Sequence, residues 1–353
     1  MNRFVFFSVS LLVGFLLFAA AIENIGAAKI IETILAFKLW QFVLLLALNG
    51  ISFLFSAFRW KIILNAIGEF PPFKKILAAR MVGNSVNYLT PSGLAGSEFF
   101  KAIVLSRESN VSAGRAFTSI VVDGAIYLPT ILLFVIVGIF SIVSYNVAPT
   151  RGMVLSELAI VFLILIFYLF YAKMIKPRKN LKEKGFFTFF IGLLRLNRIS
   201  AINKLEGKIF KMETEVRDIF SRQRSVLLYS FLITLAEFGF LFLSYWLTVW
   251  FLGFTLGLKM FFSIIAILYL SYLLPLPGAL GGMELGQSFA FAFLGLGGAA
   301  GIAFTLITRI VSLIYVAIGI AYLSYFEAKI ISQKILEFLP QAAQNIRDLL
   351  KGL

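Results

Sequence analysis

The chain contains neither cysteine nor histidine among its 353 residues. Without cysteine there is no disulfide framework and no thiol nucleophile; without histidine there is no imidazole acid–base chemistry, and zinc sites lose their usual ligands. Proton handling therefore falls to carboxylates, lysine or tyrosine. Charge is also scarce. Only 14% of residues are Asp, Glu, Lys or Arg, against roughly a quarter in a soluble domain. In their place stand 60% apolar residues, 40 phenylalanines and a mean hydropathy of +0.96. This is the composition of an all-α polytopic membrane protein, with no cofactor and no metal site expected. No Walker motif is present, so the chain itself shows no means of using ATP.

A bilayer core of about 30 Å takes roughly 20 apolar residues per helix. Six stretches satisfy this: 4–22, 40–58, 116–144, 153–172, 226–252 and 301–324. The first resembles a signal peptide in its Arg3-plus-apolar pattern, but its length and the spans that follow favour a retained span. Two further stretches, 73–106 and 259–297, are each long enough for two helices and too short for two full spans with a connection. The expected solution is a re-entrant hairpin, because irregular backbone at membrane depth persists only where protein or a wet cavity satisfies it.

Both hairpins carry a similar octapeptide near the middle: "PSGLAGSE" at 91–98 and "PGALGGME" at 277–284. Pro91, Leu94, Gly96 and Glu98 recur 186 residues later as Pro277, Leu280, Gly282 and Glu284. Proline stops the incoming helix, and glycine lets the chain reverse and backbones approach closely. Pro91, Gly93, Gly96, Pro277, Gly278, Gly281 and Gly282 are thus candidate half-helix tips, offering free N–H groups and a partial positive charge to the interior.

Basic residues give the sidedness. Residues 1–3, 59–115, 173–224 and 325–353 hold 27 of the 32 Lys and Arg, which makes that side cytoplasmic, with both termini inside. Three spans then separate the hairpins, so the second lies upside down relative to the first. Two inverted repeats are expected, at about 40–144 and 226–324, inside a single transmembrane domain of residues 1–353.

A charged side chain at membrane depth costs about 3 kcal/mol on insertion scales. Glu98, Asp123, Glu237, Glu284 and Arg309 are therefore candidate functional groups. Glu98, Glu237 and Glu284 are candidates for proton coupling. Asp123 and Arg309 also lie 186 residues apart, which suggests either a buried pair across the repeat interface or two poles of a binding site. Asn87 and Lys101 join Glu98, Asp123, Glu284 and Arg309 as candidate substrate-binding residues. Asn84, Ser85, Asn87, Tyr88 and Thr90 make the first hairpin the more polar one.

Outside the spans, 173–224 holds 14 basic and five acidic residues. Within it Ile202, Leu205, Ile209, Met212, Val216 and Ile219 recur in steps of three and four, an amphipathic helix with a basic face. The expected partner is an anionic cytoplasmic leaflet, not nucleic acid. "GFFTFFIGLLRL" before it reads as interfacial, and the tail 325–353 repeats the amphipathic pattern.

"NYLTPSGLAGSEFFKAIVLSRE", "SAGRAFTSIVVD", "LPGALGGMELG" and "TLITRIVSL" together resemble the lysylphosphatidylglycerol synthase transmembrane family, flippase-like proteins that include the lipid-translocating part of bacterial multiple-peptide-resistance factors. The resemblance extends from about residue 5 to 325. It carries onto Asn87, Pro91, Gly96, Glu98, Arg115, Pro277, Gly278, Gly281, Glu284 and Arg309. Lys101 stands where the family often has arginine, and Gly124 replaces an arginine that often follows the acidic residue. No synthase domain follows, so the resemblance implies translocation of a lipid across a prokaryotic cell membrane, not its synthesis.

The combined expectation is a flippase- or scramblase-like translocase, not an enzyme. It would move a phospholipid or polyprenyl-phosphate-linked headgroup through a central cavity. The alternatives are an ion-coupled transporter of a small solute, a membrane-embedded enzyme on lipid carriers and a membrane partner of a glycosyltransferase. Self-association is left open.

Overall fold

A computed structural model describes residues 37–90, 96–144 and 200–351, with scattered positions before residue 37 and at 162 and 168; side chains in the last segment are described between Phe210 and Phe326 and at Gly207. Most of the stretches 4–22 and 153–172, the interfacial run at 185–196 and the tip residues Pro91 and Gly93 lie outside the described residues. Among those described, every regular element is helical.

Among the described residues nine helices follow in order: α1 Leu39–Ala66, α2 Phe73–Leu89, α3 Gly96–Glu108, α4 Ala113–Val143, α5 Ser200–Arg222, α6 Arg224–Phe251, α7 Leu258–Ser271, α8 Gly282–Phe293 and α9 Gly298–Lys351. A short 3-10 turn at Pro277–Ala279 separates α7 from α8. Four of them, α1, α4, α6 and α9 as far as Phe326, are long and apolar enough to cross a membrane. They correspond to the expected spans at 40–58, 116–144, 226–252 and 301–324. The other two apolar stretches are each divided into two shorter helices at the octapeptide.

Local sequence sets the boundaries. Ser112 caps α4, its hydroxyl accepting from the Arg115 N–H at 3.4 Å, and the side chain of Gln41 accepts from the Lys38 N–H at 2.8 Å before α1. Pro72 closes the α1–α2 connection at the start of α2, where its missing N–H is not needed. α1 runs eight residues past the expected end of its span, from 58 to Ala66. Arg59 stays inside the helix because its charge is matched there, as described below.

The order recurs along the chain. Adding 186 to the first residues of α1 to α4 gives 225, 259, 282 and 299, and α6 to α9 begin at Arg224, Leu258, Gly282 and Gly298. The packing recurs as well. α1 lies along α6; α4 lies along α7, and α9 along α2. Each fourth helix therefore leans on the second helix of the other group. Phe134 of α4 joins a core built on Phe238, Phe242, Phe261 and Phe291, while Tyr322 and Leu323 of α9 join one built on Trp60, Ile76 and Leu105.

Lipid tails are as apolar as leucine, so helices in a membrane associate through close contact of surfaces, not through expulsion of water. Small residues mark both exchanged contacts. A Cβ on Gly138 would strike the Phe262 carbonyl of α7, and one on Gly319 the Met81 carbonyl of α2.

α5 departs from the expected surface helix. Val216 and Ile219 pack against Ile63, Val122 and Ile126 of α1 and α4, and Thr118 donates to Glu215 at 3.1 Å. The C-terminal half of its apolar face is thus covered by the helical body and unavailable to a leaflet. The tail continues α9 as one helix to Lys351.

Gly138→Val and Gly319→Val should each cost about 1–3 kcal/mol through overpacking, read as a lower Tm of the purified protein. Gly239→Ala, where a Cβ meets nothing within 4 Å, should leave Tm unchanged.

Candidate functional site

Two groups of buried charge organise the interior. The first centres on Arg59, on α1 and fully buried. Its Nε donates to Asp123 Oδ1 at 2.7 Å and its Nη2 lies 3.4 Å from Oδ2, a forked grip on one carboxylate. Its Nη1 donates to Thr234 Oγ1 at 3.1 Å and to Glu237 Oε2. Arg80 of α2 donates from Nη2 to Asp123 Oδ2 at 2.9 Å and to the Ser56 carbonyl at 2.9 Å. Aromatic faces complete the surroundings: Arg59 lies 5.3 Å from the Tyr127 ring centre and Arg80 5.3 Å from that of Trp60. Two cations meet two anions, so the group is neutral as a whole, which is what makes its burial tolerable.

The second group joins the two interrupted segments. Arg309 on α9 donates from Nε to Glu284 Oε1 at 2.9 Å. Its Nη2 lies 2.7 Å from the same oxygen, off the line of a hydrogen bond. Its Nη1 donates to the Tyr88 hydroxyl at 2.8 Å and to the Gly278 carbonyl at 3.0 Å. Tyr88 lies in the last turn of α2, three residues before Pro91, and Gly278 lies in the second octapeptide. One guanidinium therefore ties the end of the first helix pair's entry to the turn of the second.

That turn needs residues free to take positive φ. Gly278 stands at φ 55° and Gly281 at φ 76°. Ala279, between them, is held at φ 50°, a region that costs a residue with a Cβ about 1–2 kcal/mol. Such strain survives where surrounding contacts fix the backbone, and Arg309 supplies one on Gly278.

Glu284 also has a local task. It stands in the first turn of α8, where its Oε2 accepts from the Gly281 N–H at 2.8 Å. The expected free N–H at this tip is therefore occupied, by a carboxylate suited to the positive end of the helix. Glu284 is fully buried and lines no open space here. Glu98 holds the matching position in the first turn of α3. It is partly exposed and accepts from Lys101 Nζ at 2.8 Å, with Lys101 laid over Gly83 of α2.

The expected Asp123–Arg309 pair is not formed. Asp123 belongs to Arg59 and Arg80, and Arg309 to Glu284. Glu237 pairs with Arg59. Asn87 keeps a buried Oδ1 with no partner among the described residues. Arg115 pairs with Glu69 at 2.9 Å, tying the start of α4 to the α1–α2 connection. Gly96 and Gly282 begin α3 and α8, and Pro277 opens the 3-10 turn. Sequence reasoning counted Arg59 and Arg80 only among the basic residues of 59–115 that give the sidedness, and so missed both as partners. The signal was present in "FRWKII", an arginine–tryptophan pair continuing an apolar helix.

The transmembrane-region model of the lysylphosphatidylglycerol synthase family matches residues 5–319, and the chain belongs to that family. Among curated proteins, a UPF0104 membrane protein of Methanocaldococcus jannaschii is 28% identical over 141 residues, 39% of this chain and under half (42%) of that relative. A UPF0104 membrane protein of Methanothermobacter thermautotrophicus is 22% identical over 94% of this chain and 98% of its own length. One from Pyrococcus horikoshii is 22% identical over 77% and 83%. The chain is a membrane protein with transmembrane helices, similar along most of its length to archaeal membrane proteins.

A double-mutant cycle discriminates the observed pairing from the expected one. Arg59→Met with Asp123→Asn should be non-additive by about 0.5–3 kcal/mol in Tm-derived stability. Asp123→Asn with Arg309→Gln should be additive, because the two side chains share no partner.

Proposed function

We propose that the protein is a lipid translocase of the cell membrane, moving a phospholipid or a polyprenyl-phosphate-linked lipid between leaflets, and that it acts as a carrier without covalent chemistry. The single observation that carries this reading is the contact of Arg309 with Tyr88, Gly278 and Glu284. It makes one cationic group the junction of two interrupted helix pairs.

The architecture behind the proposal is a pair of inverted repeats, α1–α4 and α6–α9, each with a re-entrant hairpin, and both termini cytoplasmic. The recurrence of helix starts at 186 residues and the reciprocal packing of α4 on α7 and α9 on α2 support it. Repeats of this kind place substrate sites where broken helices meet near the midplane. A lipid headgroup crossing there must replace the polar contacts it interrupts. Arg309 suits a phosphate, since a guanidinium presents paired donors to an oxyanion. Asn87, Glu98 and Lys101, on the helices flanking the first tip, are the remaining headgroup contacts in this reading. The family name points to the same substrate class, since it is that of the membrane region of a phospholipid-modifying protein. In this reading the basic residues of 173–224 and of the tail 325–353 meet the anionic cytoplasmic leaflet.

Translocation of fluorescent lipids in proteoliposomes, over a panel of headgroups, tests the proposal. The wild type should move at least one headgroup class faster than protein-free liposomes. Arg309→Gln should return that rate to background. Tyr88→Phe removes one hydrogen bond to a charged group, worth about 1.5–3 kcal/mol, and should change the rate by about tenfold or more without abolishing it. Wild-type rates in Arg309→Gln, or no lipid movement above background for any headgroup, would contradict the proposal.

A further inference from the structure

The buried carboxylates of the two charge groups differ in how completely their oxygens are used. Asp123 has both occupied: Oδ1 by Arg59, Oδ2 by Arg59 and Arg80. Glu284 likewise has Arg309 on Oε1 and the Gly281 N–H on Oε2. Glu237 is 8% exposed, yet only its Oε2 is bound, by Arg59 Nη1. Among the described residues no hydrogen bond reaches its Oε1. A carboxylate at this depth with a spare oxygen and one partner is the member of the network whose charge is least compensated.

Arg59 is built to lose this partner and no other. The Nη1 that holds Glu237 also donates to Thr234 Oγ1 at 3.1 Å, while Nε and Nη2 face Asp123. If Glu237 becomes neutral, every nitrogen of the guanidinium keeps an acceptor. Losing Asp123 instead would strip two nitrogens at once. The groups facing Glu237 are Arg59 from α1, Arg80 from α2, Asp123 and Tyr127 from α4, and Tyr269 from α7. The Tyr269 hydroxyl is buried with no partner among the described residues, and the Tyr269 ring contacts Phe238, next to Glu237 in the chain, at 6.3 Å between centres.

We infer that Glu237 is a proton-binding site whose occupation opens its ion pair to Arg59, leaving Thr234 as the α6 acceptor of that guanidinium, and so loosens α6 from α1. A proton from water forms one O–H bond on the carboxylate and the ion pair to Arg59 Nη1 opens; no other bond changes. The four-residue group passes from neutral to a net charge of +1. Because α1 and α6 lie along each other and are the leading helices of the two groups of four, loosening this contact changes how the two halves sit together. The inference does not rest on the translocase reading, and its test measures no lipid movement.

The absence of native cysteine allows a direct test. Phe58→Cys on α1 and Tyr229→Cys on α6, at 48% and 60% exposure, take spin labels in the full-length protein in nanodiscs of zwitterionic lipid. Electron–electron distance measurement should show a longer distance at acid pH that reverts at alkaline pH. Adding Glu237→Gln should give the acid-state distance at every pH, and adding Asp218→Asn, at an exposed carboxylate on α5, should leave the pH response intact. A response retained in Glu237→Gln, lost in Asp218→Asn or absent from the labelled parent would overturn the inference. If Glu237→Gln does not fold, the parent and Asp218→Asn decide: a reversible response in both supports the site, and its absence from either removes it.

Discussion

An arginine inside an apolar helix bundle needs its charge matched by a buried partner, and Arg59 and Arg309 shape this protein through that demand. Arg59 draws together α1, α4 and α6 by demanding Asp123, Thr234 and Glu237 at once. Arg309 draws the end of α2 onto the turn before α8 by demanding Tyr88, Gly278 and Glu284. Breaking either set leaves an uncompensated charge where water is scarce, a penalty of about 3–5 kcal/mol for a buried pair. Close packing at glycine then fixes how the helices cross, but the arginines fix which helices must meet.

Much of this was legible in the sequence. Hydropathy found the four described spans, because a run of about 20 apolar residues has few other uses. Proline and glycine found both interruptions, and Glu98 and Glu284 fell at matching first-turn positions of α3 and α8. The pairing of charges was less accessible. Positions equally spaced in two similar segments meet each other only if their helices face one another, as α1 and α6 do. α4 instead lies on α7, and α9 on α2, so Asp123 and Arg309 are carried to different neighbours. Arg59 and Arg80 escaped notice because a basic residue within 59–115 reads as part of the charged side until its buried counter-charge is known.

The two charge groups differ in character. Around Arg309 every carboxylate oxygen is bound and the turn is strained at Ala279, as befits a junction held shut by its own contacts. Around Arg59 one carboxylate oxygen is spare and the arginine has a second acceptor in reserve. α5 packs Val216 and Ile219 against Ile63, Val122 and Ile126, so that side of the bundle near the Arg59 group is covered by the chain itself.

The central claim is that two interrupted segments enter the membrane from opposite sides and meet at Arg309. Sidedness of single introduced thiols tests it most directly. With Ser92→Cys and, separately, Leu280→Cys in membrane vesicles of known orientation, a membrane-impermeant maleimide should label the first only from the cytoplasmic face and the second only from the opposite face. Labelling of both from the same face would contradict the account.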